Sequence, residues 1–198
     1  NKAFQVFEQM QIVGISPNQV TYLAIIDACS GIAQIDTAAR IHATLVKSKY
    51  QYDLMVGNAI INMYGKCGDI GSAKDVFDNV KEEATVVSWT SMIRVYVEHD
   101  QGEKALQLFS QMIAEKRHLI PDDVAFITIL AACANQSALD DGKCVHACIL
   151  EWGLDSVIDV SNAIVNMYGK CGSLLDAQEV FDKLPEPDII SWNVLISL

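Results

Sequence analysis

The sequence predicts an all-α solenoid of stacked helix-turn-helix repeats, and three observations predict it. The heptapeptide N-M-Y-G-K-C-G occurs at 62–68 and again at 166–172, 104 residues later. Other landmarks return at the same offset: Asn58-Ala59-Ile60 as Asn162-Ala163-Ile164, His42 as His146, and Val76-Phe77-Asp78 as Val180-Phe181-Asp182. Ser88-Trp89 returns as Ser191-Trp192 at 103, a slip of one residue. A fixed internal period marks a stacked array in which no unit can bury its apolar face alone.

A period of 104 is too long for one supersecondary unit. Segments of the type X-V-[TSA]-[YWF] begin at Gln19, Val86, Asp123 and Ile189, and Leu54 and Ile158 open the segments that fill the gaps. The units are then 19–53, 54–85, 86–122, 123–157 and 158–188, with partial units expected at 1–18 and 189–198. On this reading the 198 residues are a single array, cut from a longer one. Long strict alternation is missing, so strands are not expected despite many valines and isoleucines.

Each unit reads as two helices. In 86–122, Val87, Ile93 and Val97 are expected on one helical face, and Ala105, Leu108, Phe109 and Met112 form a second stripe. Asp100 with Glu103, Ser137 with Asp140 and Ser173 with Asp176 have capping-box spacing. Gly65, Gly68, Gly169 and Gly172 are expected at breaks between helices, and Pro17, Pro121, Pro185 and Pro187 between units. Trp89, Trp192, Tyr64 and Tyr168 are expected in the core.

Composition narrows the function. Fourteen Lys and Arg against 25 Asp and Glu give a net charge of −11. That balance argues against a binder held by bulk positive charge. The longest apolar stretch, Val124–Ala134, is too short to span a bilayer, so no membrane role is expected. The six cysteines include two repeat-related pairs, Cys29/Cys133 and Cys67/Cys171, which read as reduced packing residues. Cys144-x-His146-x-Cys148 is the one metal-like cluster. Its counterparts Arg40, His42 and Thr44 cannot ligate zinc in the same way, so helix packing is the favoured reading. Histidines 42, 99, 118 and 146 sit in no H-x-E or H-E-x-x-H motif, and there is no C-x-x-C and no Gly-rich phosphate loop. No enzyme site and no cofactor are expected within these residues.

The pattern Val-x-Asn-Ala-Ile-x-Asn-Met-Tyr-Gly-Lys-Cys-Gly, then Ala-x-x-Val-Phe-Asp, then Val-Ser-Trp, resembles the pentatricopeptide repeat (PPR) family. The alternating unit lengths resemble its plant PLS subclass, with 19–53 and 123–157 as long units, 54–85 and 158–188 as short ones and 86–122 as an ordinary one. The resemblance implies a right-handed α-solenoid that binds single-stranded RNA at about one base per repeat. No DNA partner is implied. It also implies a mitochondrial or chloroplast transcript-processing or cytidine-to-uridine editing factor, any deaminase lying outside these residues, with organellar helper proteins as further partners.

By the same resemblance, bases are read by the fifth and last residues of each unit. Thr90 with Asp122 implies G, and Asn162 with Asp188 implies U. Asn58 with Thr85, and Asn193, imply pyrimidines, while Asn18 closes a unit whose fifth residue is absent. Leu23 with Asp53 and Ile127 with Val157 put an aliphatic group at the fifth position, so the long units read weakly or act as spacers. The window expected is 5′-x-Y-G-x-U-Y-3′. Second residues pack against base faces, a role suited to Val20, Met55, Val87, Val124 and Ile190 but not to Asp159. Lys66 and Lys170 stand where phosphate is met. The bland alternative for Asn58 and Asn162 is a backbone bond at a helix start, and for the lysines a favourable helix C-terminus. A second functional reading is a scaffold whose groove holds a peptide or helper protein.

Overall fold

A computed structural model describes residues 2–31, 34–115 and 119–198. His118 lies outside the described residues, as does Asn1 of the first partial unit. Among the described residues the regular structure is twelve α-helices and one 3-10 turn, with no strand. The helices fall into two compact halves, 1–99 and 100–198.

The first half contains α1 (Lys2–Ile12), α2 (Gln19–Ser30), α3 (Ile35–Leu45), α4 (Leu54–Lys66), α5 (Ile70–Val80) and α6 (Val86–Glu98). Helix α4 is its centre. It packs against α2 and α6 on its flanks and against α3 and α5 behind. Val56, Ile60, Ile61 and Met63 of α4 are therefore fully enclosed, whereas α5 buries only Ala73, Val76, Phe77 and Val80 along one face. The first helices of successive units thus form an inner layer, and the second helices cover one side of it.

The second half contains α7 (Gly102–Glu115), α8 (Asp123–Gln136), α9 (Leu139–Glu151), α10 (Ile158–Lys170), α11 (Leu174–Asp182) and α12 (Ile189–Ile196). Here α10 holds the central place, against α8, α9, α11 and α12. A histidine–tyrosine pair ties a second helix to the next first helix in each half. His42 Nδ1 lies 3.1 Å from Tyr64 Oη, and His146 Nδ1 lies 3.0 Å from Tyr168 Oη. The rings meet edge to face at 5.5 and 5.6 Å.

Several local expectations are corrected. Gly65 and Gly169 do not break helices; they lie inside α4 and α10. A Cβ on Gly65 would meet Val95 Cγ2 at 2.5 Å, so this glycine lets α4 and α6 close on each other. Gly68 and Gly172 do make the turns, at φ +77° and +79°. Asp100 takes a left-handed φ of 56° and caps nothing. With its amide oxygen turned inward, Gln136 instead accepts from Gly102 N and Glu103 N at 3.0 and 3.1 Å, capping α7 from across the half. Ser137, also left-handed, ends α8 rather than starting α9, whose N-cap is Ala138. Ser173 makes no side-chain cap; its Oγ donates to Asp176 Oδ2 at 2.7 Å instead. Val87 leaves the predicted stripe and faces out, while Trp89, Met92 and Ile93 are enclosed. Trp192 leans edge-on against Phe181 at 4.8 Å but stays half exposed, because α12 packs against only α10 and α11.

Candidate nucleic-acid interface

The inner helices begin at residues 19, 54, 86, 123, 158 and 189. The second and fifth residues of each first helix are i, i+3 neighbours and share one face of its opening turns. The residue just before the helix is its N-cap. Second, fifth and last residues are thereby gathered at helix N-termini by helical geometry alone.

The second residues are apolar and yet exposed: Val20, Met55, Val87, Val124 and Ile190 each leave 41 to 70 % of their surface open. Asp159 is exposed at the same place in α10. An exposed apolar side chain thus recurs at this one position in five of the six inner helices.

The fifth residues behave oppositely. Thr90 and Asn162 are only 5 and 6 % exposed, Asn58 is half-buried and Asn193 exposed. Thr90 Oγ1, Asn58 Oδ1, and both Oδ1 and Nδ2 of Asn162 have no hydrogen-bond partner. Among the described residues, Trp89 Nε1 is the one other buried side-chain atom left this way. A buried polar group without a partner costs about 1–3 kcal/mol. Backbone bonding at a helix start does not account for Asn162, whose amide bonds nothing. Leu23 and Ile127 of the long units are half-buried aliphatics with no group to offer.

The last residues carry a second duty, because each stands at the N-cap position of the next helix. Asp122 Oδ1 accepts from Ala125 N at 2.9 Å, and Asn18 Oδ1 accepts from Thr21 N at 2.9 Å. Asp188 Oδ1 accepts from Ser191 N and Oγ at 2.7 and 2.9 Å. Asp53 divides its oxygens, Oδ1 accepting from Val56 N at 3.1 Å and Oδ2 from Gln19 Nε2 at 2.8 Å. Thr85 pairs with Ser88, its N–H donating to Ser88 Oγ at 3.3 Å. Val157 caps nothing with its side chain. The signal was legible, since Ser, Thr, Asn and Asp lead at N-caps.

Both Ser191 bonds to Asp188 fall on Oδ1. The Ser191 amide, then its hydroxyl, and more weakly the nearby Asn162 amide, hold the Asp188 carboxyl below the usual carboxylate range. Asn162 therefore approaches Asp188 without closing a hydrogen bond to it. The two residues assigned to one base stand side by side.

Lys66 and Lys170 are exposed at the last turns of α4 and α10, where the helix dipole favours a cation. Each lies eight residues beyond its asparagine, roughly 12 Å along the axis. Among the described residues neither is in an ion pair, unlike Lys74 with Asp78, Lys143 with Asp176 and Lys183 with Glu179.

The Cys144-x-His146-x-Cys148 cluster is taken apart by its helix. His146 turns to Tyr168, whereas Cys144 and Cys148 line a groove between α7 and α9. All six cysteines are free thiols, and burial pushes Cys133 up to about 12. Among the described residues no helix is long and apolar enough to cross a membrane.

Comparison with known proteins agrees with this architecture. Sequence models described as "PPR repeat family", "Pentatricopeptide repeat-containing protein" and "PPR repeat" match residues 84–135, 1–80 and 160–188. A pentatricopeptide repeat-containing protein of Arabidopsis thaliana is 34% identical over 196 residues, covering 98% of this chain and 28% of its own length. The Arabidopsis chloroplastic pentatricopeptide repeat-containing protein CRR2 is 34% identical over 193 residues, covering 96% and 29%. Among solved structures, maize PPR10 superposes with a TM-score of 0.72 at 19% identity, over 98% of this chain and 28% of that one. PPR10 in complex with an 18-nt psaJ RNA element gives 0.66 at 22% identity, over 99% and 28%. The chain spans between a quarter and a third of these relatives, and across the residues that it does span it belongs to the pentatricopeptide repeat family.

Proposed function

We propose that this chain binds single-stranded RNA and reads bases through the N-terminal turns of its inner helices. One observation carries the reading: the buried polar atoms that lack a partner fall mostly on Asn58, Thr90 and Asn162, the fifth residues of three units. A base edge would supply the missing partners. The exposed apolar side chains one turn earlier would pack on its faces, as stacking contacts do in other single-strand binders. The similar maize protein is known bound to RNA, which supports the assignment.

In finer terms, each unit takes about one base. Asn162 with Asp188 is assigned to U, Asn58 with Thr85 to a pyrimidine, and Asn193 to a pyrimidine. Thr90 is assigned to G, and Asp122 is assigned a reader's place as the last residue of its unit. Asn18 is assigned a reader's place in the same way. Val20, Met55, Val87, Val124 and Ile190 are the packing residues, and Lys66 and Lys170 take phosphate. Because Thr90 and Asn162 are closed off in the free protein, a base reaches them only when neighbouring side chains part. The unit lengths favour a PLS-type array serving as the specificity part of an organellar RNA-processing or editing factor. Some similar proteins are named chloroplastic, which favours that organelle.

The test is a titration of labelled RNA carrying Y-G-x-U against versions with U changed to A or G changed to A, at fixed salt. Discrimination of about 1 kcal/mol or more per changed base is expected, the lower end of what one mismatch costs. Thr90→Asn shifts preference at its base from G toward U, and Asn162→Ala abolishes discrimination at the U position. Equal binding of all versions would move the assignment to a scaffold for a peptide or helper protein.

A further inference from the structure

The first half has a pocket of about 640 Å³, with mixed polar and apolar walls, between the loop before α2 and the end of α3. Its lining includes Lys47, Lys49, Ser16, Ser48, Tyr22 and Tyr50, and no Asp or Glu. Lys49 Nζ sits 5.2 Å from the Tyr50 ring centre. Tyr50 meets Tyr22 edge to face at 6.0 Å, and Tyr22 is itself fixed by donating to Thr44 O at 3.3 Å. Ser48 Oγ accepts from Tyr50 N at 3.1 Å, leaving its O–H to donate. Among the described residues neither lysine has a carboxylate in ion-pair range. In a chain of net charge −11, two unneutralised cations in one concave, hydroxyl-lined site stand out.

The bland account is that these lysines complement the C-terminal dipole of α3. The second long unit argues against it. There the residues 104 positions on are Glu151, Trp152 and Gly153 in place of Lys47, Ser48 and Lys49, and Phe126 in place of Tyr22. Helix α9 still runs to Glu151 without a cation in its last turn. Trp152 lies against Phe126 at 5.8 Å, so this copy has an apolar ring pair where the first copy has hydroxyls and cations. The shared scaffold therefore does not need the polar set.

We propose that the pocket binds a phosphate group, presented by a nucleotide or by an RNA strand. Its volume is that of a small-molecule site, lysine is a point-charge phosphate binder, and the hydroxyls and tyrosine rings give a nucleotide polar and stacking partners. The proposal is independent of base reading.

The test uses the full 198-residue chain with labelled tyrosines, followed by NMR. UMP should shift the Tyr22 and Tyr50 signals in a saturable way, and uridine, lacking phosphate, should not. Lys47→Glu with Ser48→Trp copies the second unit; it should weaken UMP by about tenfold or more, with an unchanged melting temperature. A 5′-hydroxyl uridine trimer, which carries only diesters, distinguishes the sources. Competition with UMP points to an RNA strand, and no competition points to a free nucleotide; either upholds the phosphate site. Equal shifts from uridine and UMP, no shift from UMP, or full UMP binding by the double variant would overturn it.

Discussion

The short units 54–85 and 158–188 are two copies of one design, alike through the first helix and its turn and different at the N-terminal turn and along much of the second helix. Both contain N-M-Y-G-K-C-G, both close their turn with a left-handed glycine, and both receive a histidine from the preceding helix onto a buried tyrosine. Their fifth residues are both asparagine. The N-cap, however, is Asp53 in one and Val157 in the other; the second residue is Met55 or Asp159; the last is Thr85 or Asp188. The turn motif, the histidine–tyrosine tie and the buried Ala73, Val76 and Phe77 of the second helix with their counterparts Ala177, Val180 and Phe181 are held constant, while the N-terminal turn and the rest of the second helix vary. The same divergence appears in charge: residues 1–99 carry eight Lys and Arg against ten Asp and Glu, net −2, while 100–198 carry six against fifteen, net −9.

The largest expected break in the comparison lies at the paired glycines. Gly65→Ala drives a Cβ into Val95, a stiff β-branched neighbour, and over-packing of this kind costs about 1–3 kcal/mol. Gly169→Ala meets Leu198, whose side chain is partly exposed and gives way. Urea unfolding of the two variants should show a clear loss for the first and little for the second. Equal losses would mean that the two helix contacts are alike.

The cap difference offers a gain. Val157→Asp supplies α10 with the side-chain acceptor that Asp53 gives α4, and a restored N-cap is worth about 0.5–1 kcal/mol. Repulsion from exposed Asp159 trims that value, so the double change with Asp159→Val should exceed the single one in a thermal melt. Asp159→Val also sharpens the RNA comparison. It turns the odd second residue into the apolar type found in the other units, and should tighten RNA about threefold or more by removing a carboxylate near phosphate. Unchanged RNA affinity would take the second residues out of the interface.

Much of this was legible in the sequence, and the illegible part has physical causes. The all-helical repeat fold followed from the 104-residue period, and the family from the motifs within it. Gly65 and Gly68 stand three residues apart in one motif, and nothing in the letters says that one serves a helix contact and the other a turn. Asp100 and Ser137 had the spacing of caps, but Gln136, distant in sequence, took the capping of α7. The resemblance assigns Asp188 to a base, and only the structure adds that it caps α12. Thr90 and Asn162 were named in the sequence, yet only packing reveals that they are enclosed with nothing to bond.

The smallest effect tests whether the two histidine–tyrosine pairs are equivalent. Burial lowers the pKa of His42, and no other cause contributes. Burial also lowers His146, with Lys183 adding to it, while Asp155, Asp176 and Glu179 pull the other way. Both folded values lie below 6.5, so the unfolded chain binds more protons as pH falls through that region. The stability from the neutral rings is complete above pH 6.5 and declines toward the folded values. The helix-start carboxylates Asp69, Asp176 and Asp188, whose folded values are lowered, lose their contribution only at lower pH, below about 4. A melt series from pH 7.5 to 5 should therefore show a decline that His42→Gln and His146→Gln each reduce. Charged neighbours act on His146 but not on His42, so unequal slopes for the two variants would show that the pairs are not equivalent. An identical slope in wild type and both variants would show that neither ring stays neutral on folding.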